Sequence, residues 1–285
     1  MSYQITPKGK KLVLSLIICI ITSRIFFYDF WANIGTLLSL SYLQQHGVYP
    51  WFVLFLCFVW LWQKRAKISE KMSIEKIYAR PPFIILGLTL FGLALLLPSA
   101  SKCIVFQLLL ACAGIFTILF GVAVYIPILL LGVYGFTLMF PIVITKFAEV
   151  QYSVATVWAV VSILKGFGYQ ILSQGQVIQF SGLSGDIAIF IDSECSGSAS
   201  MAVFIAIFAL MMIDVKLPAK KAIPIFIFGV IGTTLQNVLR LIILIVSGYY
   251  YGKDALWTAH SYAGYIIFPI WFALFAFVYL RQVEQ

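Results

Sequence analysis

Residues 103–145 read CIVFQLLLACAGIFTILFGVAVYIPILLLGVYGFTLMFPIVIT, a run of 43 residues with no charged side chain, closed at its two ends by Lys102 and Lys146. A membrane-crossing helix needs roughly 20 mostly apolar residues. The run is long enough for two crossings, placed at 103–124 and 127–145. The rest of the chain has the same character: 62% of its 285 residues are hydrophobic and only 10% charged. A soluble domain carries about 25% charged residues. There is too little polar side chain to cover a water-facing surface, so most of the surface must face lipid.

Working outward, further apolar stretches fall at 12–31, 48–62, 83–98, 196–213, 222–246 and 262–280. The expected fold is an all-α polytopic membrane protein of about eight transmembrane helices. The stretch after Lys8, Lys10 and Lys11 lacks a clean small-x-small cleavage site, so it reads as a retained first span rather than a signal peptide. The net charge of +9 comes from 19 basic and 10 acidic residues. The basic residues lie between the apolar runs and do not interleave with exposed aromatics, which argues for topology signals and against nucleic acid as a partner. Thirteen of them fall on one side of an eight-span arrangement: Lys8, Lys10 and Lys11; Lys64, Arg65, Lys67, Lys71, Lys76 and Arg80; Lys216, Lys220 and Lys221; and Arg281. The other side holds Lys102, Lys146, Lys165 and Lys253, while Arg24 and Arg240 lie inside spans. The positive-inside rule then puts both termini in the cytoplasm. No internal repeat or flexible linker interrupts the chain. It reads as one integral membrane domain over 1–285, with five spans in 1–145, an outer segment at 146–195 and three spans in 196–285.

The outer segment has two parts. Phe147 to Leu172 places Val150, Val154, Val157, Trp158, Val161 and Leu164 at helical spacing, and Lys165, Gly166 and Gly168 end the pattern. An amphipathic helix at the interface is expected, with a ninth partial span as the alternative. Gln176 to Ile191 alternates between apolar and polar residues and contains Gly182 and Gly185, just after Gly175. That pattern fits a short β-hairpin or re-entrant loop.

The five cysteines, Cys19, Cys57, Cys103, Cys112 and Cys195, show no metal-ligand spacing. With only His46 and His260 beside them, neither a metal nor a cofactor is implied. Cys195 differs from the others because it lies in a polar setting, Asp192-Ser193-Glu194-Cys195-Ser196-Gly197, at the head of the sixth span. His260 stands just before the eighth span. Arg240 lies 18 residues beyond Ala222 in the seventh, roughly 27 Å along a helix, near the outer boundary of a ~30 Å hydrocarbon core. Charge counting thus brings a thiol, a guanidinium and an imidazole to one depth on the outer side. A thiolate is the reactive form of cysteine, and a nearby cation or helix N-terminus favours it. A histidine can take the thiol proton and return a proton to a leaving amine, and an arginine can hold the oxyanion. Asn237, three residues before Arg240, shares its helical face. It can orient the guanidinium or donate a second hydrogen bond.

The succession Asp192-Ser193-Glu194-Cys195-Ser196-Gly197, Asn237-Val238-Leu239-Arg240, and His260 ahead of the last span resembles the exosortase/archaeosortase family of membrane cysteine transpeptidases. The likeness covers roughly residues 150–280. It implies Cys195 as nucleophile, Arg240 as its cationic partner and His260 as acid/base, with Asn237, Ser196 and Gly197 in support. It also implies a partner: an exported protein bearing a C-terminal motif, a transmembrane helix and a basic tail, transferred to a lipid or other amine acceptor in the cytoplasmic membrane. Position 198 is Ser where members often carry a branched apolar residue, and Glu194 puts an acidic group next to the cysteine. Two other functions fit the residues, a protease that hands the thioester to water and a transporter using Arg240 for an anionic solute. Each site residue also has a plainer role: Cys195 as packing, Arg240 snorkelling to headgroups, His260 as a solvated loop residue. Arg24 and Asp29 read as packing or topology residues, and Asp186, Asp192 and Glu194 as cation-binding or loop-solvating groups.

Overall fold

The structure, a computed structural model, describes residues 17, 21, 24–25, 28–37, 49–74, 80–97, 104–183, 185–192 and 195–284. Most of the first apolar stretch, together with His46, Cys19, Cys103, Ser193 and Glu194, lies outside them. The chain forms two compact units, one of residues 1–48 and 60–131, the other of residues 49–59 and 132–285.

The helices before the outer segment are α1 (Tyr28–Leu37), α2 (Tyr49–Gln63), α3 (Arg65–Ile74), α4 (Arg80–Leu96), α5 (Ile104–Phe120) and α6 (Tyr125–Phe147). α3 occupies what the charge pattern marks as a basic loop. Its sequence RAKISEKMSI consists largely of good helix formers and holds no Gly or Pro, so it coils instead of staying extended. Between α5 and α6 the backbone tightens into a 3₁₀ turn at Gly121–Val124, entered through Gly121 at φ +51°. The combined stretch Ile104–Phe147 has 44 residues and would be about 66 Å long if straight, twice a hydrocarbon core. The turn divides it into two pieces of crossing length. By length and composition three stretches can cross a membrane: Ile104–Phe147, Ala219–Tyr251 and Lys253–Val283, with shorter apolar helices at Trp51–Gln63, Pro81–Leu96 and Ser198–Asp214.

In the first unit α4 and α5 meet backbone to backbone through Gly87 and Gly114. A methyl group on Gly87 would stand 2.7 Å from the Gly114 carbonyl oxygen, and one on Gly114 would stand 2.7 Å from the Gly87 carbonyl oxygen. Small residues at such a contact let dispersion, rather than the hydrophobic effect, join helices in lipid. Gln107, fully buried on α5, donates from Nε2 to the Leu97 carbonyl at 2.9 Å, satisfying an acceptor that the end of α4 leaves open. Ile68, Ala123 and Ile126 form a small core with Trp60, Leu61, Met72 and Phe120 around it. The Lys71 ammonium lies 4.4 Å from the centre of the Tyr125 ring. The Arg24 guanidinium sits over Tyr28 at 5.3 Å.

The second unit carries α7 (Glu149–Gly166), β1 (Ile171–Gln174), β2 (Val177–Gly182), β3 (Gly185–Phe190), α8 (Ser198–Asp214), α9 (Ala219–Tyr251) and α10 (Lys253–Glu284). α7 ends where Gly166 and Gly168 predict. It is apolar on two sides instead of one: Val157, Val161 and Leu164 are buried, whereas Val150, Val154 and Trp158 are exposed. The alternating segment forms not a hairpin but a three-stranded antiparallel sheet, ordered β1-β2-β3. Ile171 pairs with Phe180, and Phe180 with Ile187. β1 has only four residues, too few for alternation to reveal it. The inner side of the sheet sends Ile171, Ile178 and Phe180 into a core with Val157, Val160, Val161 and Leu164 of α7, Ile191, Val238, Leu241, Leu244 and Ile245 of α9, and Leu256 of α10.

Helices α9 and α10 form a long hairpin about Gly252, which has φ +84°. At 33 and 32 residues they are roughly 50 and 48 Å long, well beyond a ~30 Å core. The sheet packs at the Gly252 end of this hairpin: the Leu183 N–H donates to the Tyr249 carbonyl at 2.9 Å, and Gly182 leaves room for that carbonyl. Tyr169 and Tyr249 meet edge to face at 5.2 Å. At the opposite end of the hairpin Phe204, Phe275 and Tyr279 are fully buried, and the Tyr279 hydroxyl donates to the Val215 carbonyl at 2.6 Å. Gly229 gives its space to Phe204 and Phe275, and Gly232 to Trp271.

The Gly87–Gly114 contact predicts that Gly114→Val costs about 1–3 kcal/mol by overpacking, whereas Gly92→Ala, with nothing within 4 Å of the added carbon, is neutral. Thermal unfolding of the detergent-solubilised variants checks this.

Candidate active site

Cys195 lies in a turn of residues 195–197, ahead of α8 rather than inside it. α8 begins at Ser198, with Gly197 as its N-cap at φ +101° and ψ 14°. That left-handed conformation is open to glycine and strained for other residues. A side chain is excluded for a second reason, because a carbon added to Gly197 would stand 2.7 Å from both Cγ and Nδ2 of Asn237. The backbone therefore turns at Gly197 and leaves Cys195 on the approach to the helix, which starts at Ser198, two residues later than the sixth span as read from the sequence.

The turn is held from both sides. The Cys195 N–H donates to Oδ1 of Asp192 at 2.8 Å, and the Ser196 N–H donates to the Asp192 carbonyl at 3.0 Å. On the acceptor side, Asn237 Nδ2 of α9 donates to the Cys195 carbonyl at 3.2 Å. The Thr156 hydroxyl of α7 reaches the Ser196 carbonyl at 3.4 Å. Ser196 and Ser198 are buried. The cysteine backbone is thus pinned by the loop before it, by α7 and by α9.

Arg240 is only 7% exposed. Its guanidinium carbon stands 5.8 Å from the centre of the Phe268 ring on α10, and its Nε is buried without a hydrogen-bond partner. A snorkelling arginine reaches outward to headgroups, whereas this one turns inward between α9 and α10. His260, in the second turn of α10, is half-buried. It meets the Trp257 ring edge to face at 5.5 Å and lies within electrostatic reach of both Arg240 and Asp192. Asp192 bonds the Cys195 backbone and Asn237 sits one turn from Arg240, so the cysteine turn, the guanidinium and the imidazole have neighbours in common. The six residues singled out from sequence fall in this one locale. Asn237 serves the backbone of the cysteine turn, not the guanidinium.

Sequence reasoning underrated Asp192, which it took for a solvating or cation-binding residue. The signal was present: an aspartate three residues before a turn residue has the spacing of a side-chain-to-backbone cap. Thr156, Trp257 and Phe268 gave no such signal, because their roles depend on which helices pack together. Glu194, flagged for its charge, lies outside the described residues.

A family model described as transmembrane exosortase matches residues 31–277, a stretch that contains Cys195, Asn237, Arg240 and His260. No curated protein and no solved structure matches the chain.

Two geometric constraints on Gly197 predict that Gly197→Ala destabilises the fold by about 1–2 kcal/mol from backbone strain alone, with the displacement of Asn237 adding to it. Asp192→Ala is expected to cost about 1–3 kcal/mol through the stranded Cys195 N–H. Unfolding temperatures in detergent, measured beside the wild type, check both.

Proposed function

Because the chain belongs to the transmembrane exosortase family, we propose that it is a cysteine transpeptidase that cleaves the C-terminal sorting signal of exported proteins and passes them to an amine acceptor. The observation that carries this reading is the buried Arg240 beside His260, with Cys195 held close by through Asn237 and Asp192. A guanidinium so placed costs desolvation free energy that a packing role does not require.

The chemistry follows from the residue types. His260 accepts the Cys195 proton, and the thiolate attacks the scissile carbonyl carbon. The carbonyl electron pair moves to oxygen, and Arg240 is the donor that meets the resulting oxyanion. The intermediate collapses to a thioester as the C–N bond breaks, and His260 returns its proton to the departing amine. An incoming amine then attacks the thioester, an amide forms, and the thiol is restored. A lipid headgroup amine or another amine serves in this last step. Water in its place turns the enzyme into a protease. The two are separated by the mass of the new substrate C-terminus, an added acceptor in one case and a free carboxylate in the other. A transporter for anionic solutes gains no support from Arg240, whose neighbours are the Phe268 ring and His260.

The proposed setting is the cytoplasmic membrane, crossed eight times, with both termini inside and the sheet, Cys195 and His260 at the outer face. The basic loops support this orientation through the positive-inside rule, and the projecting ends of α9 and α10 leave room for a sheet above the lipid. Substrate would enter beside the last three spans, its C-terminal helix in the bilayer and its basic tail in the cytoplasm.

Cys195→Ala should abolish processing of a tailed precursor while the protein stays folded. Arg240→Lys should lower the rate by roughly 10²–10³-fold, as loss of an oxyanion donor does, and His260→Ala by roughly 10²–10⁴-fold. Immunoblots of precursor and product in cells expressing each variant read the outcome; undiminished processing by Cys195→Ala would end the proposal. For topology, alkaline phosphatase inserted at the Gly175–Gln176 turn is expected to be active and the same enzyme fused after Gln285 inactive. The reverse pattern would invert the orientation.

A further inference from the structure

Gln236 lies on α9 one turn before Arg240, away from the sheet. It is 6% exposed, and neither its Nε2 nor its Oε1 has a hydrogen-bond partner. Its surroundings are fixed by the residues four before and four after it on the same stripe of the helix. Gly232 is covered by the Trp271 ring, and Arg240 lies against Phe268. Gln236 is therefore held in the α9–α10 seam between two aromatic rings. α10 contains Pro269 at this level. A proline removes the N–H that would bond the carbonyl four residues earlier, here that of Tyr265.

Buried side-chain polar atoms without a partner are scarce elsewhere among the described residues and concentrated here. Seven such atoms occur, of which Gln236 Nε2, Gln236 Oε1, Asn237 Oδ1 and Arg240 Nε lie within five residues of α9. A fifth, the Ser153 hydroxyl, is one turn from Thr156, which contacts the cysteine turn. A buried amide left unpaired is costly, and a group of them demands an explanation beyond packing. A primary amide offers a donor and an acceptor side by side, the same pair that a peptide group offers. A peptide that unwinds to present its scissile bond at the membrane boundary exposes just such groups, where lipid cannot satisfy them.

We propose that Gln236 is a positioning residue for the substrate, its side-chain amide pairing with the backbone of the unwound stretch that follows the scissile bond, beside Arg240. The inference rests on the transpeptidase reading above. Gln236 stands about 6 Å deeper along α9 than Arg240, on the side from which the membrane-inserted, C-terminal part of the substrate approaches. It thus recognises main chain rather than a particular side chain, and anchors the portion that departs as the amine.

The test uses the full-length protein in its own membrane. The probe is a tailed precursor that accumulates when Cys195→Ala replaces the wild type, supplied at graded levels. Gln236→Leu should raise the precursor level needed for half-maximal processing by roughly ten- to a hundredfold, the loss of one or two hydrogen bonds. The maximal rate should stay near wild type, and the unfolding temperature should not fall. Gln236→Asn, which keeps both groups on a shorter stem, should recover part of the lost affinity. Processing by Gln236→Leu that matches the wild type, while Cys195→Ala still blocks it, overturns this inference alone. So does a drop in unfolding temperature with activity lost only in proportion to unfolded protein. A Cys195→Ala variant that accumulates no precursor overturns the transpeptidase reading and this inference with it.

Discussion

The hydrogen bond from Asn237 Nδ2 to the Cys195 carbonyl is the constraint on which the site depends. It ties a short turn to the middle of a 33-residue helix. That helix also carries Arg240 and doubles back at Gly252 into the helix that carries His260. The bond is possible only because position 197 has no side chain: a carbon there would occupy the place of the Asn237 amide. The left-handed backbone at Gly197 aims the turn, and the Asp192 carboxylate holds the other side of the cysteine peptide. The cysteine turn is thereby registered against α9, and through the hairpin at Gly252 against α10, by bonds to its backbone.

The hairpin of α9 and α10 supplies the rigid frame. Its two ends are set differently, as a membrane protein must be. At one end Phe204, Phe275 and Tyr279 are buried with no charged residue among them, and the tyrosine hydroxyl finds a backbone carbonyl. At the other a three-stranded sheet closes over α7 and α9 with a core of branched aliphatic residues. Between the two lies a short polar stretch, Gln236 to Arg240, flanked by Trp271 and Phe268. Aromatic walls around a guanidinium lower the local dielectric. A charge near this guanidinium therefore meets a stronger field than it would in water.

Much of this was legible in the sequence because apolar runs and charge placement are strong signals. The helices Tyr49–Gln63, Arg80–Leu96, Ile104–Phe120, Tyr125–Phe147, Ser198–Asp214, Ala219–Tyr251 and Lys253–Glu284 overlap the apolar stretches, and Gly166 and Gly168 end α7 as expected. Arg240 is buried against Phe268, where the sequence alone leaves an inward and a snorkelling side chain both open. What was not legible depended on tertiary contacts. β1 is too short to alternate visibly. α7 reads as one-sided until Val157 and Val161 are seen buried while Val154 and Trp158 are exposed. Cys195 heads an apolar run in the sequence, and only the positive φ at Gly197 shows that the helix itself starts at Ser198. The isolation of the Gln236 amide arises from Gly232, Trp271 and Phe268 together, and no local pattern encodes it.

The central claim is that the Cys195 sulfur becomes acylated in a pocket shared with Arg240 and His260. Intact-protein mass spectrometry of the membrane-extracted enzyme, quenched with acid during turnover, tests it most directly. The account predicts a mass adduct equal to the substrate's N-terminal portion, located on Cys195 and released by hydroxylamine as a thioester is. An adduct on another residue, or turnover with no covalent enzyme species under conditions where thioesters survive, would contradict it.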